Sequence, residues 1–330
     1  MSAFWRLAAP IAKARLPAGF FLLVLALAGC VSLPQTEALK AGSADALPER
    51  VELAEVPFFP QDEFQCGPAA LAMALGHRGI PAHPDQLKDQ VYLPGRGGSL
   101  QIEMLASARR NGLIAYNLAP RLPDLLREVV AGNPVIVLIN LNGIRLLPRW
   151  HYAVLIGYDR VERDLVFRSG TDRHLTMPVW LFEFLWQDSN HWSMVAVRPG
   201  TLPASAEEAP FAAALAAFER STRPITAEYA YRALLDRWPD NLVALIGLGS
   251  ALYGQKKIPE AAQAFERATR AHPEAAPAFN NLAHILAELD RTDEALKAAE
   301  RAVSLGGPHL EAAKSTLDSI RKKRAAQPAK

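Results

Sequence analysis

A 34-residue period governs the C-terminal part of the chain. Pro239 and Pro273 lie 34 residues apart, and Gly307-Pro308 stands one period further on. Set in register, they define three units, about 208–241, 242–275 and 276–309. In the middle unit Leu248-Gly249, Leu252, Ala261, Phe265, Ala268 and Pro273 occupy the alternating small and large positions. Leu282-Ala283, Leu286, Ala295, Ala299 and Ala302 hold the same places in the last unit, and Ala227, Tyr231, Leu234 and Pro239 in the first. Small residues let two antiparallel helices approach closely, while large ones fill the space between pairs. Units of this kind bury their apolar faces by stacking on their neighbours, so the region is predicted to be an all-α solenoid over 208–322. A last helix, about 310–322, caps its open end, and 323–330 is a basic tail.

Upstream the texture differs. Gly67–His77, Leu100–Asn111 and Leu122–Ala131 carry apolar residues at helical spacing, each closed by a glycine. Short β-branched or aromatic runs follow at Val135–Ile139, Tyr152–Tyr158, Leu165–Phe167 and Met194–Val197. Helices first and an antiparallel sheet afterwards predict a segregated α+β domain over 51–200, with a Pro/Ala/Ser/Glu linker at 201–207. A formal net charge of +2 gives no electrostatic footprint for nucleic acid. The Arg321–Arg324 cluster reads as a solvated tail.

At the N-terminus Arg6, Lys13 and Arg15 precede the apolar run Phe20–Ala28. That run falls short of the roughly 20 residues that span a bilayer but suits a signal peptide. It ends in Leu27-Ala28-Gly29-Cys30, which resembles a bacterial lipobox. The resemblance implies cleavage of 1–29, a diacylglyceryl group on Cys30, and an envelope location. Val31 after the cysteine favours the outer membrane, facing the periplasm. Residues 31–50 read as a tether. The chain has two cysteines, so a lipidated Cys30 leaves Cys66 as a lone thiol in an oxidising compartment.

Cys66 begins an apolar helix within Gln61-Asp62-Glu63-Phe64-Gln65-Cys66-Gly67-Pro68-Ala69-Ala70-Leu71. Unpaired amides and the helix dipole there favour a thiolate. Pro68 costs nothing in the first turn, where its missing N–H has no helical partner. A glutamine just upstream, Gln61 or in reserve Gln65, is placed to donate to an oxyanion beside the Cys66 amide. His151 opens the strand of Trp150-His151-Tyr152-Ala153-Val154-Leu155-Ile156-Gly157-Tyr158-Asp159, at the edge where a thiol and a base can meet. His174 and His191 read as structural or surface histidines. No spacing suggests a metal site, and no cofactor is expected. Gly95-Arg96-Gly97-Gly98 lacks the flanking elements of a phosphate loop.

These stretches, with Gly-Asn-Pro-Val-Ile-Val-Leu between them, resemble the bacteriocin-processing (double-glycine leader) peptidases and their stand-alone relatives over residues 51–198. That group is similar to papain in fold. The resemblance implies Cys66 as nucleophile, His151 as general base and acid, and Gln61 as oxyanion donor. Two positions depart from the pattern. Gln61 is five residues before Cys66, where the group has six. The acidic residue that orients the histidine is replaced in Phe167-Arg168-Ser169-Gly170-Thr171-Asp172, leaving Ser169 or Asp172 as the third member. The repeats resemble tetratricopeptide repeats, which implies a surface for substrate or a protein partner. The chain is therefore expected to be a membrane-anchored cysteine peptidase acting on a peptide or protein. The alternative is a degenerate peptide-binding scaffold.

Overall fold

The computed structural model describes residues 32–60 and 65–326. Cys30 and Gln61 lie outside them. The first domain opens with helix α1 (Pro34–Lys40) and strand β1 (Arg50–Glu52), then α2 (Cys66–His77) and α3 (Pro84–Val91). A small hairpin, β2 (Tyr92–Leu93) and β3 (Gly98–Ser99), leads to α4 (Gln101–Arg110), β4 (Ile114–Asn117) and α5 (Leu122–Val130). Then come β5 (Val135–Asn140), β6 (Trp150–Asp159), β7 (Asp164–Ser169), β8 (Asp172–Pro178), α6 (Val179–Trp186) and β9 (Ser193–Val197). Among the described residues the main sheet runs β4-β9-β5-β6-β7-β8, with β1 pairing the far half of β6. Gly157 permits that pairing, because a Cβ there would lie 2.7 Å from the Val51 carbonyl oxygen.

Side chains alternate across a strand, and this sheet buries both faces. Ile136, Leu138, Tyr152, Val154 and Ile156 pack with α2, whose residues from Gly67 to Leu75 are all buried. Val137, Ile139, Ala153, Leu155 and Phe167 face the other way, onto α5 and α6.

The α+β and all-α expectations hold. The solenoid pairs α7 (Glu208–Glu219) with α8 (Pro224–Arg237), α9 (Leu242–Gly254) with α10 (Ile258–Ala271), and α11 (Ala276–Glu288) with α12 (Thr292–Leu305). The last helix, α13, runs to Ala326, past the expected 322. The period acts as read: Gly249 lets the Phe265 ring approach so closely that a Cβ would lie 2.6 Å from it.

Two segments differ from expectation. The described part of the expected 31–50 tether, residues 32–50, is anchored to the domain instead. The Gln35 and Thr36 amides donate to the buried Glu183 carboxylate at 2.9 and 2.6 Å, and Arg160 reaches back to Asp45 and the Leu47 carbonyl. A carboxylate at the N-terminus of α1 satisfies free amides and opposes the helix dipole, which fixes this short helix. The 201–207 segment is likewise seated. Buried Glu128 accepts from the Ser205 amide and hydroxyl at 2.7 and 2.5 Å, and the Glu207 amide donates to Tyr116 Oη at 3.1 Å. Phe211 and Phe218 of α7 join the core under the sheet, so one apolar core continues from the first domain into the repeats.

Candidate active site

Helix α2 starts without a side-chain cap, since Gln65 makes no capping bond. Backbone N–H groups of Tyr152 on β6, and of Gly67 and Cys66 at the helix start, favour the thiolate of Cys66. The Tyr152 amide belongs to the peptide bond that follows His151, so the thiol rests against the strand that carries the histidine. Burial outweighs these amides and pushes the Cys66 thiol above its ordinary value. The expectation of a thiolate stabilised by the helix N-terminus is thus corrected, because burial outweighs the backbone amides.

His151 is partly buried, and its Nε2 lies 2.8 Å from Ser169 Oγ. Burial and then the Arg149 guanidinium hold the imidazole down at about 4, so it is neutral at pH 7. Ser169 supplies a neutral partner where a carboxylate would favour imidazolium. Asp172 sits exposed opposite Ser169 in the β7–β8 register, away from the ring's hydrogen bond. Among the described residues no hydrogen bond joins thiol to imidazole. The resting arrangement is a neutral thiol beside a neutral base, with the Nδ1 of His151 uncommitted if Nε2 donates to Ser169.

Two further side chains frame the thiol. Tyr152 donates from its hydroxyl to the Ser99 carbonyl at 3.1 Å and meets Trp192 edge-on at 5.7 Å. Burial, and next the nearby Cys66, push the Tyr152 phenol above its ordinary value. The Ser99 hydroxyl is buried without a hydrogen-bond partner and presses on Gly67, where any Cβ would clash with it. Ser99 directly follows Gly95-Arg96-Gly97-Gly98, the stretch that lacks the flanking elements of a phosphate loop. The sequence signal for this contact was Gly67, whose missing Cβ leaves room for the Ser99 side chain.

His174 is exposed and faces Glu52, while His191 stacks edge-on against Trp186. Among the described residues no group of His, Cys, Asp or Glu could hold a metal ion. A separate cavity of about 500 Å³ opens between the second and third repeat units, lined by Glu266, Arg270, Phe279, Leu286, Glu294 and Lys297.

Comparison with known proteins bears on this geometry. Residues 53–177 match the Peptidase_C39 like family. Residues 211–276 and 246–309 match the Tetratricopeptide repeat family. The chain carries a C39-like peptidase domain followed by tetratricopeptide repeats.

Among solved structures, a putative C39-like peptidase from Bacillus anthracis is 20% identical with a TM-score of 0.38, over 46% of this chain and 98% of that one. A double glycine motif protease from an AMS/PCAT transporter, in complex with its leader peptide, is 21% identical with a TM-score of 0.33, over 43% of this chain and 91% of that one. On the repeat side, the TPR2B domain of yeast Sti1 is 17% identical with a TM-score of 0.34, over 36% of this chain and all 100% of that one. A comparison with curated proteins returned no match. The C39-like match contains Cys66, His151 and Ser169, and the repeat match contains the 500 Å³ cavity.

Proposed function

We propose that the protein is a lipid-anchored envelope cysteine peptidase, with Cys66 as nucleophile and His151 as base. The observation that carries this reading is the Cys66 sulfur held by backbone amides against the His151–Tyr152 peptide bond, with His151 oriented by Ser169. A substrate that closes the thiol–imidazole gap lets His151 Nδ1 take the thiol proton as Sγ attacks the peptide carbonyl carbon. The Cys66 amide, released from sulfur, donates to the oxyanion. The imidazolium then protonates the leaving amine, and water hydrolyses the thioester to return thiol, imidazole and a new carboxylate. Gln61, from its place in sequence, is the proposed second oxyanion donor. The repeats, through the charged cavity between units two and three, bind substrate or a partner protein. The lipobox at Cys30 supports anchoring to the outer membrane, facing the periplasm.

A second reading, a peptide-binding scaffold, is favoured by Ser169 standing where an orienting carboxylate belongs and by the raised thiol pKa. Peptide-library cleavage separates the two. Cys66→Ala is expected to lower turnover by on the order of 10³-fold or more. Cleavage that survives this substitution, or no cleavage by the wild type, rules out the peptidase reading.

A further inference from the structure

The connection from β5 to β6 carries an unusual load. Its sequence, Leu141-Asn142-Gly143-Ile144-Arg145-Leu146-Leu147-Pro148-Arg149-Trp150, contains no acidic residue. Leu146 is 91% exposed, Leu147 68% and Ile144 53%, and Trp150 is exposed beside His151. Side chains this apolar normally turn inward, and a patch of them on a surface marks a contact. The loop is also built to hold them out. Asn140, fully buried, accepts from the Asn142 and Arg149 amides at 3.2 and 2.8 Å and donates to the Ile144 carbonyl and Asp188. Asn142 closes the tip by donating to the Leu147 carbonyl at 2.9 Å, and Arg145 pairs with Asp188 at 3.1 Å. With Asn140, Asn142 and Arg145 engaged in this way, the apolar tip stays presented to whatever lies outside.

The start of the described chain indicates what lies outside. Gln35 and Thr36 are fixed to Glu183 on α6. Phe184, the next residue, supports the hairpin, since a Cβ on Gly143 would lie 2.5 Å from its ring. Exposed Trp180 lies one turn before Phe184 on the same helix face. Cys30 precedes Gln35 by five residues, which even fully extended reach only about 18 Å. A lipid on Cys30 therefore enters the bilayer within a short radius of the hairpin.

We infer that the 141–150 hairpin docks on a bilayer surface with anionic headgroups. Ile144, Leu146 and Leu147 enter the headgroup–acyl boundary, and Trp150 sits at its level. Arg149, which has no ion pair among the described residues, faces the anionic headgroups. The catalytic edge would then lie at the membrane surface, so the proposed peptidase would meet polypeptides there, such as exported or membrane-inserted chains. This inference rests on the lipid-anchor reading above.

The test uses the full chain purified as made in a bacterial host and reconstituted into vesicles containing dibrominated phosphatidylglycerol. Mass spectrometry of the N-terminal peptide first reads the acyl group on Cys30. Tryptophan quenching is then compared among the wild type, Trp150→Phe and the exposed pair Leu146→Glu/Leu147→Glu, after thermal melts verify that all three are folded. The expected result is strong wild-type quenching that falls by roughly half or more in both variants, and that weakens in brominated phosphatidylcholine. Acylated protein quenched equally in all three forms overturns the docking while leaving the anchor reading intact. So does an unquenched wild type whose Glu variant only raises KM for peptides, because the hairpin then contacts substrate. Equal quenching in both lipids overturns the anionic component. A Cys30 without an acyl group overturns the anchor reading and this inference with it.

Discussion

The two faces of the main sheet do different work with the same alternation. One face closes on α2 in a compact core of its own, and that core ends at the thiol. The other closes on α5 and α6, then runs through Phe211, Leu215 and Phe218 into the repeats as one continuous core. On the repeat side, charged groups at the edges are paired, although Asn280 Oδ1 is buried without a hydrogen-bond partner. Glu228, for example, is held down at about 2: burial opposes its ionisation, but hydrogen bonds from Lys257, Gln255 and Arg232 outweigh it. At the site side, groups are left in tension: a buried unpartnered Ser99 hydroxyl, and a thiol and imidazole both held neutral. The contrast lies in the titratable groups, which are ion-paired and charged in the repeats but buried and neutral at the thiol.

The sharpest way to break this contrast is to cut a large side chain from each core. Phe265→Ala and Leu71→Ala are each expected to cost about 2–5 kcal/mol in denaturant unfolding. Only Leu71→Ala should alter the alkylation rate of Cys66 under native conditions. If Phe265→Ala alters it equally, the two cores are not separate supports. The seam is next. Glu128→Ala strands the Ser205 amide and hydroxyl and is expected to cost about 3 kcal/mol. It should also expose the 201–207 segment to limited proteolysis, whereas resistance there would mean that apolar packing alone holds the repeats to the sheet.

Acid should discriminate the site face. His151 titrates at about 4 when folded against an ordinary 6.5, a depressed value. Its contribution is therefore present above 6.5 and lost as pH falls through 4. At pH 4 and below the loss is expected to reach about 2 kcal/mol, allowing for the ring's partial exposure. His151→Gln should remove that part of the pH slope; an unchanged slope would place the acid sensitivity in the carboxylates. The smallest effect is a tuning one. Ser169→Asp places a carboxylate near the ring, and NMR titration should show His151 rising from about 4 towards its ordinary value. No rise would mean that the ring's environment is set by burial and Arg149 alone.

Much of this was legible in the chain because it is local. The repeat helices follow a period that each unit restates, and α2 was visible from its apolar spacing, with Cys66 at its start. What was missed depends on distant partners. Helix α1 exists because Glu183, 147 residues beyond Thr36, meets its first amides. Helix α6, Val-Trp-Leu-Phe-Glu-Phe-Leu-Trp, is apolar almost throughout and so gives no amphipathic period to read. At the site, the positions of Cys66 and His151 could be read from motif, but the choice between Ser169 and Asp172 depended on β-hairpin register. The thiol's protonation was misjudged because the helix start is visible in sequence and the burial that outweighs it is not.

The most direct measurement is the pH dependence of iodoacetamide alkylation at Cys66, in the wild type and in His151→Ala, with Cys30 acylated or replaced. A neutral pair predicts one rise in rate, at or above the ordinary thiol value of 9.0, with little change when His151 is removed. A rate already on a plateau between about pH 5 and 8, lost in His151→Ala, would mark a preformed thiolate–imidazolium pair and contradict the resting state described here.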